Sequence, residues 1–344
     1  MIKQNIVILF LLASSSLSFA QKRIKDFEIS FPDEKVAGSI YNTLHVVDIR
    51  DDTTHLGIVQ LGASNKKVFL MAERPLQEQM QDVLKTLNDS DAQDGELLML
   101  IRRFSFAEIT NTFFKERGYC QFRAALFVKK EKEYQQLDAI DTVIVVGSMD
   151  VTRAMFRKAS EVITNFIKTN ITKSESKGKI LSLDQILAID SREKEYLAVY
   201  NTMSYKDGLY KTYKSFANQT PDEQEILVEV SIDNNIKAVK KETGKGKQER
   251  ILSKDIYAIV YEGKPYIATS YGFYPLKKRK NDFYFTGKEK ISSNISANTK
   301  EAIMTGVFFG LTGVLIASSP QHTYFDMKID HISGGFIRLR EVKE

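Results

Sequence analysis

The densest group of potential metal ligands in the chain lies between residues 45 and 55, where histidines and aspartates alternate with other residues. These residues are His45, Asp48, Asp51, Asp52 and His55, and imidazole with carboxylate is a donor set that suits zinc. A strand through His45 would turn Asp48 to the opposite face, because side chains alternate along a strand. A hairpin between residues 44–50 and 57–61 would also bring His55 nearer to Asp48 than to His45. We therefore predict a solvated turn here and no metal site.

Nucleophilic and phosphate-binding signatures are missing from the sequence. His322 and His331 lie on either side of Asp326 and Asp330, but no Gly-x-Ser-x-Gly motif accompanies them. The chain has neither a Walker-type loop nor a Gly-x-Gly-x-x-Gly motif. We therefore assign no catalytic residue and no cofactor, and we predict a protein that is not an enzyme. A hydrolase of unrecognised type is the alternative.

The strongest basic cluster is formed by four consecutive cations, Lys277, Lys278, Arg279 and Lys280, between two aromatic strands. One interpretation is a solvated hairpin tip. The other is a surface that contacts anionic lipid head groups or acidic envelope polymers, because concentrated positive charge attracts both. The net charge of the whole chain is only +5, with both signs interspersed, so the sequence gives no indication of a nucleic-acid partner.

An apolar stretch over residues 303–317 carries no charge and contains Gly306, Gly310 and Gly313. The Gly-x-x-x-Gly spacing of the first two allows close backbone approach. A helix of this length covers about 22 Å, less than the roughly 30 Å of a bilayer core. We expect a buried core segment, and the alternative is a membrane-embedded or oligomer-forming segment that makes contact through the three glycines.

The first twenty residues have the anatomy of a secretory signal peptide. Lys3 precedes the apolar run 6–12, and Ser18-Phe19-Ala20 is a small-x-small site that predicts cleavage between Ala20 and Gln21. We therefore expect an exported protein in the periplasm or at the outer membrane. The single Cys120 shares a predicted strand face with apolar residues, which indicates a buried thiol without a disulfide partner.

The pattern of elements predicts an α+β fold in two domains. Residues 21–171 read as a mostly antiparallel sheet with two packed helices, the second over residues 152–170. A polar stretch over residues 172–181 predicts a linker. Residues 182–344 then read as a β-rich domain that contains the late apolar segment.

The stretch 208–221 resembles a motif of uncharacterised secreted proteins from Gram-negative bacteria. The shared pattern is Gly-aliphatic-Tyr-x-Thr-aromatic-x-x-Phe-x-Asn-x-x-Pro, and the resemblance covers about residues 205–340. The family has no assigned catalytic residues, so the resemblance implies none here. The spacing of Tyr210, Tyr213 and Phe216 predicts one face of a single helical turn, ended by Asn218 and Pro221.

Taken together, these features predict an exported cell-envelope protein that acts as a non-enzymatic binding or assembly module. Its partners would be envelope proteins or a membrane surface. A membrane-associated oligomer built through residues 303–317 is the second hypothesis. The sequence identifies neither a small-molecule ligand nor an oligomeric state.

Overall fold

A computed structural model shows an α+β protein with several sheets, and it describes residues 24–61, 66–110, 116–174, 178–232, 235–244, 246–288, 307–308 and 324–342. The strands are β1 (Ile24–Phe27), β2 (Tyr41–Asp48), β3 (Gly57–Leu61), β4 (Lys66–Ala72), β5 (Gly95–Thr110), β6 (Glu116–Lys130), β7 (Glu133–Val146), β8 (Ile180–Leu181), β9 (Gly208–Tyr210), β10 (Leu227–Val230), β11 (Ile236–Glu242), β12 (Gln248–Ile251), β13 (Ala258–Tyr261), β14 (Lys264–Thr269), β15 (Gly272–Pro275), β16 (Lys277–Arg279), β17 (Asp282–Gly287), β18 (Val307–Phe308), β19 (Tyr324–Ile329) and β20 (Phe336–Val342). The helices are α1 (Leu76–Leu87), α2 (Val151–Lys168), α3 (Leu183–Leu187), α4 (Ile189–Lys194), α5 (Ala198–Asn201) and α6 (Tyr213–Ala217), with a 3₁₀ turn at Ser253–Asp255.

The large sheet contains the first eight strands in the order β1-β4-β3-β5-β6-β7-β8, and β2 pairs with β5 beside this path. Most of its paired residues are antiparallel, as the sequence predicts, because the long strands β5, β6 and β7 form successive hairpins. The predicted hairpin between residues 44–50 and 57–61 is wrong. Strands β2 and β3 instead both run parallel to β5, which is long enough to pair with β2 near its start and with β3 further along.

Helices α1 and α2 cover one face of the large sheet. Each places a stripe of buried apolar residues against the strands, and Met80 and Ile163 at the centres of these stripes are fully buried. Asp150 starts α2 by accepting a hydrogen bond from the backbone N–H of Arg153, as an N-cap residue does. Cys120 is also fully buried in this core, and burial raises the pKa of its thiol, so the predicted buried thiol is confirmed.

Short helices follow the large sheet. Ser182 and Gln185 form a capping box at the start of α3, since the Ser182 side chain accepts from the backbone of Gln185 and the Gln185 side chain accepts from the backbone of Ser182. Helix α3 covers part of the second face of the large sheet through the buried Ile186. Helix α4 then brings a charged surface towards residues 330–331, as described below.

The second half contains a sheet of β15-β14-β13-β9, a small sheet of β10-β11-β12, and a final sheet of β16-β17-β19-β20-β18. The predicted single helical turn through Tyr210, Tyr213 and Phe216 is only partly correct. Tyr210 ends β9, and only Tyr213 and Phe216 lie in α6, because the Thr212 side chain caps the helix after the strand has ended. All three rings pack in the second core, where Tyr210 meets Phe216 edge to face with 5.4 Å between the ring centroids.

Several predictions fall on residues that the structure does not describe. These are the cleavage site at Ala20 and Gln21, and Gly306, Gly310 and Gly313 of the apolar segment. Among the helices of the described residues, none combines the length and the apolar character that a membrane crossing requires.

Candidate functional site

The basic cluster at residues 277–280 forms one side of a tight hairpin. Strand β16 pairs with β17 so that Arg279 lies opposite Asp282, and only two residues connect the strands. Those two, Lys280 and Asn281, both have positive φ, at 47° and 60°. Two successive left-handed residues form the turn whose twist matches a two-stranded ribbon. The cationic side chains are therefore displayed from a short, well-defined turn rather than from a long loop.

Strand alternation divides the predicted cluster into two sets. Lys277 and Arg279 lie on the face of the final sheet that points away from the second core, which we call the outer face. Lys280 follows at the turn. Lys278 lies on the opposite face, and its ammonium donates to the backbone carbonyl of Tyr200. Three of the four predicted cations thus share one surface, while Lys278 ties the hairpin to α5.

The three outer cations border a cavity of about 450 Å³, which we call the basic cavity. This volume lies within the range of about 300–1,000 Å³ that is typical of small-molecule sites. Its lining combines cations, hydroxyl groups, one carboxylate and apolar groups, namely Pro275, Lys277, Arg279, Lys280, Tyr284, Phe285, Thr286, Asp326, Leu339 and Arg340. The carboxylate is outnumbered, so the lining carries a net positive charge.

Asp326 lies at the centre of a row of three residues across the final sheet. It is opposite Thr286 on β17 and opposite Arg340 on β20. The Thr286 hydroxyl donates to Oδ1 at 2.6 Å, and Nε of Arg340 donates to Oδ2 at 2.7 Å. Burial opposes ionisation of Asp326, but these two hydrogen bonds outweigh it and lower the pKa of the carboxyl group. The cavity therefore contains one fixed carboxylate among its cations.

A β-bulge shapes the same wall. The register between β19 and β20 shifts after Asp326, so that Met327 faces Arg338 and Leu339 is the extra residue. Bulges commonly redirect a side chain at the edge of a site. Here the bulge places Leu339, an apolar residue, in the lining of the basic cavity beside Arg340.

A second group of charges lies on the same face of the final sheet, where that sheet meets the large sheet. Lys328, which is opposite Tyr284, contacts Asp51 at 2.9 Å and Asp282 at 3.3 Å. Asp282 also accepts from Lys194 at 2.6 Å. Burial opposes ionisation of Asp51, yet nearby Arg103 and Lys328 lower the pKa of its carboxyl group to about 2. We call the ion pairs that join the final sheet, the large sheet and α4 the charged seam.

Two adjacent residues of β5, Arg102 and Arg103, contribute cations to the charged seam. The register of β5 against β6 shifts between Ile101 and Arg103, which leaves Arg102 as a bulged residue. Arg102 reaches Asp190 and Glu193 of α4, both at 2.5 Å, and Arg103 reaches Asp51 at 2.7 Å. The bulge therefore lets two successive arginines serve the same interface.

Asp190, Glu193 and His331 place ligand atoms within 4.8 Å of one another, which is close enough for a metal ion. The donor set does not fit one, because Arg102 already contacts both carboxylates and its Nη2 lies 3.4 Å from Nε2 of His331. Burial opposes ionisation of Glu193, but hydrogen bonds from His331 and Arg102 lower the pKa of its carboxyl group to about 2. The protein's own guanidinium therefore takes the position where a cation would bind.

The potential metal ligands between residues 45 and 55, where the sequence predicts a solvated turn, are dispersed. His45 contacts Glu96 at 3.3 Å, Asp48 binds Arg50, and His55 contacts Asp52 at 3.5 Å. Asp51 points instead into the charged seam. Neither this role of Asp51 nor the charged seam was predicted from the sequence. The available signal was the pair of arginines at residues 102–103, which interrupts an otherwise apolar strand.

Comparison with known proteins identifies no family for this chain. No protein-family model matches the chain, and no curated protein matches it. Among solved structures, the chain is similar to the crystal structure of a Xanthomonas campestris protein described by family model DUF330, at 13% sequence identity and a TM-score of 0.30. That similarity covers 43% of this chain and 95% of the other chain. The predicted likeness to uncharacterised proteins of Gram-negative bacteria fits this match only loosely, and the 208–221 motif itself stays a prediction.

Proposed function

We propose that this protein is a non-enzymatic binding module of the cell envelope that holds anionic ligands in the basic cavity. The observation that carries the proposal is the position of Lys277, Arg279 and Lys280, three exposed cations on the rim of one concave surface. The nearby carboxylates Asp282 and Asp326 are bound by other cations. Within the described part of the chain, no carboxylate forms an ion pair with any of the three.

Unpaired cations at a concave surface favour an anionic ligand for an electrostatic reason. Three like charges within a few residues repel one another, and a bound anion removes that repulsion. Exposed charges are screened by salt, so the interaction is expected to weaken as ionic strength rises. Export to the envelope, which we infer from the first twenty residues, would place the cavity among acidic polymers and lipid head groups.

Binding is favoured over catalysis by the state of the candidate acids and bases. Both oxygens of Asp326 already accept hydrogen bonds, and they are separated from His331, which is buried at 6% exposure in the charged seam. A general acid or base needs an accessible group beside the substrate. His331 is too deeply buried for that role, and among the residues that line the basic cavity Asp326 has no second carboxylate, histidine or cysteine to act with it.

The test is a binding measurement on the chain from residue 21 onwards, by isothermal titration calorimetry at low and at moderate salt. The probes are citrate, inorganic phosphate, trigalacturonate, glucose 6-phosphate and phosphatidylglycerol vesicles. We expect at least one probe to bind, with an affinity that falls as salt rises. The variant Lys277→Glu/Arg279→Glu/Lys280→Glu should lose at least tenfold in affinity for that probe.

A matched control changes the same charge elsewhere. Lys237, Lys247 and Lys254 are exposed and lie away from the final sheet, so Lys237→Glu/Lys247→Glu/Lys254→Glu lowers the net charge equally without touching the basic cavity. It should bind within about twofold of the unaltered chain. The proposal is overturned if no probe binds, or if the control loses as much affinity as the cavity variant.

A further inference from the structure

We propose that the ligand of the basic cavity is an acidic saccharide, a sugar that carries a carboxylate or phosphate group. This inference rests on the proposed anion-binding function and adds the chemical class of the ligand. It is drawn from three kinds of group in one cavity: cations, a fixed carboxylate with a hydroxyl group beside it, and an apolar wall that includes an aromatic ring.

The cations account for the acid group of such a ligand. Arg279 presents a planar guanidinium that can bind a carboxylate or a phosphate through two parallel hydrogen bonds, and Lys277 and Lys280 flank it as point charges. Any small anion would satisfy these groups, so they do not by themselves select a sugar.

Asp326 is the group that a simple anion would not need. A negative charge inside a cavity for anions weakens their binding, because like charges repel. An ionised carboxylate has about four acceptor sites, and Thr286 and Arg340 use one on each oxygen. The remaining sites can accept hydrogen bonds from hydroxyl groups, which a sugar supplies in abundance. The Asp326 side chain is 26% exposed, so these sites are accessible.

The apolar wall completes the match to a sugar ring. Tyr284 is half-buried, lines the basic cavity together with Pro275 and Leu339, and shares the outer face of the final sheet with the cations. Ligand sites combine apolar and aromatic surface with a few placed polar groups, and the C–H face of a pyranose is the apolar part of a sugar. A flat lipid surface would contact the exposed cations on the rim, but it would not bind the carboxylate inside the cavity.

The experiment compares sugars with matched anions that are not sugars. Trigalacturonate is paired with citrate, and glucose 6-phosphate is paired with inorganic phosphate, while maltotriose is the neutral sugar. We expect the acidic sugar to bind at least tenfold more tightly than its partner in one pair or both, and maltotriose to show no binding. Preference for phosphatidylglycerol vesicles over every sugar would overturn the inference in favour of a membrane surface.

The variant Asp326→Asn separates hydroxyl recognition from charge. It removes a negative charge, so the affinity for citrate and inorganic phosphate should stay unchanged or rise. The affinity for the acidic sugar should fall about tenfold, because a neutral amide is a weaker acceptor for hydroxyl groups. A rise of equal size for sugars and simple anions would show that Asp326 acts only through its charge, which contradicts the inference.

Tyr284→Leu provides a second variant that keeps apolar volume and removes the flat ring. We expect acidic-sugar affinity to fall at least fivefold, with the affinity for simple anions unchanged. The two proposals fail separately. If citrate and phosphate bind through the cavity as tightly as the sugars, the anion-binding function stands and the saccharide inference falls; if no probe binds, both fall.

Discussion

Arg123 and Asp330 form a buried ion pair with two hydrogen bonds, which links the large sheet to the turn between the last two strands. Nη1 lies 3.0 Å from Oδ1, and Nη2 lies 3.1 Å from Oδ2. The Asp330 side chain is 1% exposed, and the Arg123 side chain is 6% exposed. The Ser333 hydroxyl donates to the same carboxylate at 2.5 Å, so Asp330 also organises the turn that carries His331.

Replacing Arg123 should therefore destabilise the protein strongly. The variant Arg123→Met keeps much of the apolar stem but leaves Asp330 and Asp141 without the guanidinium that both contact. Loss of one partner of a buried pair typically costs about 3–5 kcal/mol. We expect the free energy of unfolding, measured by urea denaturation, to fall by an amount in this range.

The second partner gives the control for this prediction. Asp330→Asn removes the same pair from the other side, and the double variant should cost less than the sum of the two single variants, because each breaks the same interaction. If the two effects simply add, Arg123 and Asp330 do not stabilise the fold through each other.

The charged seam also predicts loss of stability in acid. The pKa of Glu193 is lowered from 4.5 to about 2, that of Asp51 from 3.8 to about 2, and the pKa of Asp330 is lowered further. Burial alone would raise these values, and the arginine, lysine, histidine and serine partners outweigh it. A carboxyl group with a depressed folded pKa stabilises the fold above its unfolded pKa and loses that effect as pH falls through the folded pKa.

The urea midpoint should therefore be flat above about pH 5 and should fall between about pH 4.5 and 2. Asp141 has the opposite effect on stability, because burial raises the pKa of its carboxyl group. The lowered pKa values of the three other carboxyl groups outweigh this one raised value. The variant Glu193→Gln should show a shallower acid decline than the unaltered chain. An identical pH profile for the two proteins would mean that Glu193 does not contribute.

Helix α2 and the capping box of α3 could be predicted from the sequence, because interactions between residues close in the chain determine them. The apolar stripe of α2 predicts a helix over residues 152–170, and the structure has it at Val151–Lys168. The Ser182 capping box follows from two residues three positions apart. The predicted hairpin tip at residues 277–280 is only partly correct, because residues 277–279 form strand β16 of the hairpin and the turn itself is Lys280 and Asn281.

Pairings between distant residues could not be predicted in the same way. Arg123 and Asp330 are 207 positions apart, and nothing near either residue specifies the other. Parallel pairing of β2 with β5 likewise depends on the crossover through α1, whereas the sequence favoured the nearer partner β3. The sequence identified the cations at residues 277–280 but not the basic cavity, because Asp326 and Arg340 join it through the register of β19 and β20.

Gly334 connects the 208–221 motif to the final turn, and its replacement should be severe. It has φ of +78°, and a Cβ there would lie 2.2 Å from Cγ of Tyr213. Tyr213 in turn donates from its hydroxyl to the backbone carbonyl of His331 at 2.5 Å. We expect Gly334→Ala to lower the free energy of unfolding by more than about 2 kcal/mol, through backbone strain and the clash together.

Gly244 offers a matched control for that variant. Its φ of +75° is almost the same, but a Cβ there would meet nothing within 4 Å. Gly244→Ala should therefore cost only about 1 kcal/mol, which is the strain of the left-handed backbone alone. Equal losses for the two variants would show that contact with Tyr213 is not what constrains Gly334.

Replacing Lys280 should change the free energy of unfolding and the affinity for an anion in opposite directions. Its φ of 47° places a side chain where glycine is favoured, so Lys280→Gly should raise the free energy of unfolding by roughly 0.5–1 kcal/mol. The same change removes a cation from the rim of the basic cavity, so the affinity for an anionic probe should fall severalfold. Asn281→Gly is the control, since it relaxes the neighbouring residue at φ of 60° and leaves every cation in place. It should bind the probe normally. If Lys280 served only the turn, Lys280→Gly would gain stability without losing affinity. Unchanged binding by this variant would therefore show that Lys280 does not contact the ligand.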